Sequence, residues 1–358
     1  MKKNVFLFLL CLITGIAFAQ KKNVKTVKDI LLDENPNFTE AQTLMESALS
    51  DAETKDNPET WFVAGSLADK IFDSENKKKI VGGTPDYPVM YTALTNLYDH
   101  FLKVIELEKI PNEKGKTSDK FTKKVKDPLK IDQPSYVNVG AHFFDLREYG
   151  KSYKMFKIFL DIPKLEIFAK EKNKLNTDST YYEIMFYAAY AATNDKNYAD
   201  ANELLVELKT KDYERENVYA SLAQNYQTIG DSVKYLETLK EGLIQYPKNR
   251  FFLENMINVY INARQIDKAV EYLDEAIEQN PTVPEYWRVK GDLYETELKD
   301  NEKALAAFEE ALKIDPNYTR AIAGIGRLYY NEGFNLQQKS NELSYKEAQE
   351  MQGPINDL

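Results

Sequence analysis

Between residues 219 and 316 the chain repeats itself in register. Tyr219 to Pro247, Leu253 to Pro281 and Trp287 to Pro316 are three copies of one unit, with 34 residues from Pro247 to Pro281 and 35 from Pro281 to Pro316. In the third copy Trp287, Gly291 and Tyr294 fall four and three residues apart, so they share one helix face, and Ala304, Phe308 and Ala311 form a facing stripe on a second helix. The glycine lets the partner helix approach, and the proline ends the unit because it cannot continue a helix. The second copy reads Leu253, Met256, Ile257, Tyr260, Ala269, Leu273 and Ala276, and the first reads Tyr219, Leu222, Ala223, Tyr226, Tyr235, Leu239 and Gly242. Two amphipathic helices cannot bury their apolar stripes alone, so such units must stack on their neighbours. A heptad coiled coil would need apolar residues every 3.5 positions with no proline every 34, and is excluded.

The third copy, with Trp287, Gly291, Tyr294, Ala304, Phe308, Ala311 and Pro316 and one extra residue in the turn near Lys299 to Asn301, resembles the tetratricopeptide repeat (TPR). The resemblance implies an all-α, right-handed superhelical α-solenoid of stacked helix-turn-helix units. The aromatic stripes then read as core packing and not as a cofactor box. Upstream, Met185, Ala188, Ala189, Ala192, Ala201, Leu205 and Leu208 keep the same phase. Tyr136, Val139, Gly140, Phe143, Ser152, Phe156 and Phe159 form another unit, set back by 49 residues, which places an insertion between Pro163 and Ser179. Trp61, Ala64, Gly65 and Ala68 suggest a first helix whose partner, Ala93, Leu97 and Phe101, lies beyond an interruption from Asp73 to Pro88. The expected organisation is a signal peptide at 1–19, irregular helical repeats with two long insertions at 20–134, and a TPR solenoid at 135–358, strongest over 183–331.

The N-terminus carries an address. Lys2 and Lys3 precede the apolar run Val5 to Ile13, and Ala17-Phe18-Ala19 offers a small-x-small cleavage site before Gln20, the layout of a secretory signal peptide. Cys11 lies inside the apolar run without a small residue before it, so no lipid attachment is expected. The stretch is short for a membrane span. Cleavage would remove Lys2, Lys3 and the only cysteine and take the formal charge from −10 to −12. An exported acidic chain in the periplasm or cell envelope is the expectation, and nucleic acid is not an expected partner, because phosphates demand basic surface. One stretch reverses the charge: Lys114, Lys116, Lys120, Lys123, Lys124 and Lys126 lie between Lys109 and Lys130. It reads either as a solvated link between repeats or as a contact for an acidic lipid or polyanionic glycan.

Chemistry is sparse. His100 and His142 are the only histidines and have no metal-ligand spacing, so packing or surface roles suit them better. The pair Gly82-Gly83 lacks a following Gly-Lys-Ser/Thr and makes a turn, not a phosphate loop. No Gly-x-Ser-x-Gly elbow occurs, and carboxylates on repeat helices are ordinarily a solvated face. A non-enzyme without cofactors is expected.

In TPR proteins the first helices of successive repeats line an inner groove. Carried over by register, the positions facing it are Gln224 and Gln227, then Glu254, Asn258 and Asn262, then Arg288, Asp292 and Glu295, then Arg327 and Tyr330. Amide side chains both donate and accept, which suits an extended peptide backbone or a sugar hydroxyl. Solvated polar residues on amphipathic helices would look the same. TPR clamps for a C-terminal carboxylate use lysine, asparagine and arginine, whereas Ala220, Gln224, Asn255, Glu285 and Val289 stand in that frame and depart from the pattern. The expected function is a protein-interaction scaffold of the cell envelope that holds a protein segment in this groove. A glycan-binding solenoid, with Tyr181, Tyr182 and Tyr190 exposed to stack on sugar rings, is the alternative. Ile322, Ile325, Gly326 and Tyr329 open a fourth copy without an evident cap, so continuation beyond Leu358 or self-association there is expected.

Overall fold

The computed structural model describes residues 20–170, 179–211, 213, 215–342, 345, 347 and 349. The signal peptide with its Ala17 and Ala19, the inner part of the insertion after Pro163 and the last eight residues lie outside the described residues. Among those described, every regular element is helical. In chain order they are α1 (20–30), α2 (Phe38–Ser50), α3 (Pro58–Ile80), α4 (Tyr87–Glu108), α5 (Thr122–Asp145), α6 (Tyr149–Asp161), α7 (Ser179–Asn194) and α8 (Tyr198–Lys209). There follow α9 (Arg215–Ile229), α10 (Ser232–Gln245), α11 (Arg250–Asn262), α12 (Ile266–Gln279), α13 (Pro284–Thr296), α14 (Asn301–Ile314) and α15 (Thr319–Glu342). The chain divides into two compact units, Met1–Tyr213 and Glu214–Leu358.

The turns carry the repeat. Arg147, Lys196, Gly230, Arg264 and Lys299 hold φ of 60°, 64°, 77°, 54° and 55°, each between the two helices of a hairpin. They lie 49, 34, 34 and 35 residues apart, the spacing of the sequence copies. The residue that follows each one donates its N–H back to the first helix: Glu148 to Phe143, Asn197 to Ala192, Asp231 to Tyr226 and Gln265 to Tyr260, at 2.8–3.0 Å. This is the Schellman closure of a helix end. In the last hairpin Asp300 reaches Tyr294 at 2.9 Å, one position farther back, which absorbs the extra residue. Asn197, Asp231 and Asp300 then cap the second helices by accepting from the N–H of Asp200, Lys234 and Lys303.

Between helices the packing turns on aromatic rings set against glycines. Phe308 of α14 is fully buried. A Cβ on Gly291 of α13 would lie 2.5 Å from its ring, and one on Gly324 of α15 would lie 2.7 Å away. Only glycine on both neighbours leaves room for that ring. Trp287, half-buried, packs on the same cluster of Ala304, Phe308, Ala311, Ala321 and Leu328. In the first unit Gly65 faces Phe101 and Gly140 faces Phe156 in the same way.

In the first unit the expected interruptions are partly helical. The interruption from Asp73 to Pro88 is largely helix, because α3 continues to Ile80, Lys77, Lys78 and Lys79 suit its C-terminal dipole, and Gly82 at φ 83° turns the chain. Leu165, Ile167 and Phe168 lie in or beside two short 3-10 turns, Ile162–Lys164 and Glu166–Phe168, with Phe168 buried. The lysine-rich loop is anchored by Glu108, whose carboxylate accepts from the Thr122 N–H at 2.7 Å, the Phe121 N–H at 3.0 Å and the Ser118 hydroxyl at 2.9 Å. Burial alone would raise its pKa, but these hydrogen bonds prevail and lower it. Glu108 thereby serves as the missing cap of α5.

Asp132 of α5 is buried against Asp69 of α3. Burial first, then the neighbouring Asp69 charge, pushes its carboxyl up to about 8 from 3.8. A raised folded pKa means the contribution to stability is complete below about 4 and is lost as pH rises through about 8. Asp132→Asn cannot ionise, so its stability relative to wild type should rise between pH 5 and pH 8 by about 1 to 3 kcal/mol, less than the ~1.4 per unit ceiling because Asp69 shares the proton. Urea unfolding of both proteins at the two pH values measures this, and a constant difference would refute it.

Candidate functional site

In the second unit, α11, α13 and α15 carry side chains that meet across the repeat spacing. Arg288 of α13 donates to Glu254 of α11 at 3.0 Å and to Glu285 at 2.7 Å, and pairs with Asp292 one turn on. Arg250 donates to Glu254 at 2.6 Å. Arg327 of α15 donates to Asp292 at 2.9 Å and to Glu295 at 2.6 and 2.8 Å, and Arg320 approaches Glu285 at 3.6 Å. Hydrogen bonding to Glu295 raises the Arg327 pKa above its ordinary value. Four guanidinium groups thus alternate with four carboxylates, and the face carries charge without net excess.

Beside this lattice lies a pocket of about 160 Å³. Its floor is Ile257, Val289 and Leu293, and its rim includes Glu254, Asn258, Arg288 and Asp292. That volume suits one inserted side chain, below the ~300 Å³ at which small-molecule sites begin. An apolar floor with amide and carboxylate groups at the rim can seat an apolar side chain while hydrogen-bonding the backbone beside it.

The residues expected to face a groove fare differently. Glu254, Asn258, Arg288 and Asp292 come together at the pocket, and Glu295 and Arg327 join them through ion pairs. Asn258 and Asn262 are exposed on α11, Gln224 and Gln227 are exposed on α9, and Tyr330 is exposed on α15. Arg288 is not an open groove residue: its side chain is only 9% exposed, held among three carboxylates. Replacing it would disturb the fold along with any contact. The altered carboxylate-clamp frame is also occupied, since Glu285 binds Arg288 while Asn255 accepts from the Tyr235 hydroxyl and donates to the Phe251 carbonyl. Arg250, Glu285 and Arg320 were not among the expected residues. Arg250 four before Glu254 and Glu285 three before Arg288 are helical ion-pair spacings that signal them.

Tyr181 corrects the expectation of an exposed tyrosine set. It is 2% exposed and its hydroxyl donates to the Leu160 carbonyl at 3.0 Å, whereas Tyr190 is exposed and sits with Phe144, Tyr149 and Tyr187 in a ring cluster. In the lysine-rich segment Lys123 pairs with Asp119, Lys109 pairs with Glu166, and Lys120, Lys124 and Lys126 lie over aromatic rings. Of the two histidines, His142 stacks on Tyr87 with centroids 3.6 Å apart, and His100 packs against Trp61. Among the described residues no group of three or more His, Cys, Asp or Glu side chains is placed to hold a metal ion, and no described helix is long and apolar enough to cross a membrane.

Residues 255–319, which contain the pocket's lining apart from Glu254 and the turns at Arg264 and Lys299, match the tetratricopeptide repeat family model. Over those residues the chain carries the tetratricopeptide repeat. It is 23% identical over 315 residues to a TPR repeat-containing protein of Methanocaldococcus jannaschii, covering 80% of this chain and 49% of that protein. It is 25% identical over 193 residues to the Hsp70-Hsp90 organizing protein of Triticum aestivum, covering 51% of this chain and 33% of that one. The chain therefore spans half or less of these relatives' lengths. Among solved structures, a TPR repeats protein from Bacteroides fragilis is 16% identical, with a TM-score of 0.38, over 55% of this chain and 97% of its own.

Proposed function

We propose that this TPR protein is a non-catalytic interaction scaffold that holds a protein segment on the face built by α11, α13 and α15. The observation that carries the reading is the pocket with an apolar floor and a rim of Asn258, Glu254 and Asp292, set in a face otherwise held rigid by its own ion pairs. The family match over residues 255–319, which hold most of α11 and all of α13, supports it, as does the name of the wheat relative, an Hsp70-Hsp90 organizing protein. The Lys2-Lys3, apolar-run and Ala17-Phe18-Ala19 layout of residues 1–19 supports a periplasmic or cell-envelope location for the scaffold in this proposal. The glycan reading rests on the cluster of Phe144, Tyr149, Tyr187 and Tyr190, in which Tyr187 and Tyr190 are the exposed members.

Asn258→Ala combined with Asn262→Ala removes two exposed amides and spares every ion pair named above. The variant should melt as wild type does and lose roughly ten- to hundredfold in affinity if both amides engage the partner, from about 0.5 to 1.5 kcal/mol per hydrogen bond. Capture from an envelope fraction with both proteins, read by mass spectrometry beside a glycan array, measures it. Equal recovery of one protein partner by both would move recognition off this face, and array binding without a protein partner would favour the glycan.

A further inference from the structure

The first unit holds a larger concavity that the α11–α15 face does not involve. A groove of about 530 Å³ opens between α2 and α4, floored by α3. Ala64, Leu67, Ala68 and Ile71 make the floor, an unbroken apolar stripe at helical spacing. Met45 from α2 and Val89 from α4 wall it, and Val89 is 37% exposed there. The rim carries the exposed carboxylates Glu46 and Asp86, and no lysine or arginine lines the groove. His100 also lines it, with a buried Nδ1 that has no hydrogen-bond partner among the described residues.

We propose that this groove binds an apolar peptide segment bearing a lysine or arginine, with the apolar side chains on the α3 floor and the cation at Glu46 and Asp86. The volume falls within the ~300 to 1,000 Å³ of sites that enclose a ligand. Along α4 the lining residues run from Asp86 to His100, about 21 Å at 1.5 Å per residue, which matches a short helix lying in a groove of three helices. A rim with two carboxylates and no cation attracts a basic segment and repels an acidic one.

The probes are three labelled synthetic peptides of about 14 residues, ~21 Å as a helix. One is helix-patterned in leucine and lysine, one replaces its lysines with glutamate, and one replaces its leucines with serine. Fluorescence anisotropy on the full chain should show the leucine–lysine peptide binding at least about tenfold more tightly than either control. Thr92→Trp, at an exposed position lining the groove, should weaken that binding by roughly tenfold or more, and Glu46→Lys, exposed on α2, should abolish the preference over the glutamate peptide. Circular dichroism establishes that each variant folds, and Glu46→Lys alone decides the matter if Thr92→Trp does not. Equal binding of the serine–lysine peptide, or an unchanged preference in Glu46→Lys, would overturn the proposal. So would sedimentation showing a dimer that Thr92→Trp dissolves, because a second copy would then be the occupant.

Discussion

Arg288→Ala is expected to lower folding stability by about 3 to 5 kcal/mol, the range seen when one partner of a buried ion pair is removed. The guanidinium is the hub of the second unit's ionic face, donating to Glu254 at 3.0 Å, to Glu285 at 2.7 Å and to Asp292. Glu285 is itself buried, so truncation leaves it with only the more distant Arg250 and Arg320, at 3.8 and 3.6 Å. Combining Arg288→Met with Glu285→Gln removes the stranded charge and should recover about half of the loss, because a buried pair replaced as a pair is close to neutral. Urea denaturation of the two variants measures both numbers. A single variant as stable as wild type would mean that water reaches Glu285 easily and that Arg288 is dispensable to the fold.

Phe308→Ala should cost a similar ~3 to 5 kcal/mol, for a different reason. The ring fills space that Gly291 and Gly324 leave on either side, so its loss opens a cavity lined by α13, α14 and α15. In a repeat array each unit leans on its neighbours, and the damage should stay local before it spreads. Hydrogen exchange should therefore show early loss of protection over residues 284–342, while α3 to α6 keep theirs. Uniform loss across both units would contradict this.

Much of the fold was legible because the repeat is written in side-chain size at fixed spacing. Gly291, Phe308 and Pro316 report a ring between helices and the end of a unit without any knowledge of neighbours, and the extra residue near Lys299 was visible as a spacing of 35. The miss at Asp73 to Ile80 has a local cause: a polar, lysine-rich stretch looks like a loop, yet it holds no helix breaker before Gly82. The site was harder, because its contacts join residues of different repeats. Arg288 and Glu254 lie 34 apart, and Asp132 and Asp69 lie 63 apart. Tyr181 misled because the residue type serves equally as a surface ring and as a buried ring with a hydrogen-bonded hydroxyl, and only the Leu160 carbonyl decides between them.

The left-handed residue in each turn has a bearing on how such a chain can change over generations. Each hairpin is closed by main-chain atoms, N–H to carbonyl, and four of the five turns tolerate arginine or lysine where glycine would be the easy choice. The joint is thus closed by the backbone, and a side chain there bears only the modest cost of the left-handed conformation. Faces can differ between copies, one carrying a lattice of arginines and carboxylates and another a cluster of tyrosines, while a left-handed backbone joint recurs in each. Variation of surface rests on side chains, and recurrence of the joint rests on main-chain atoms.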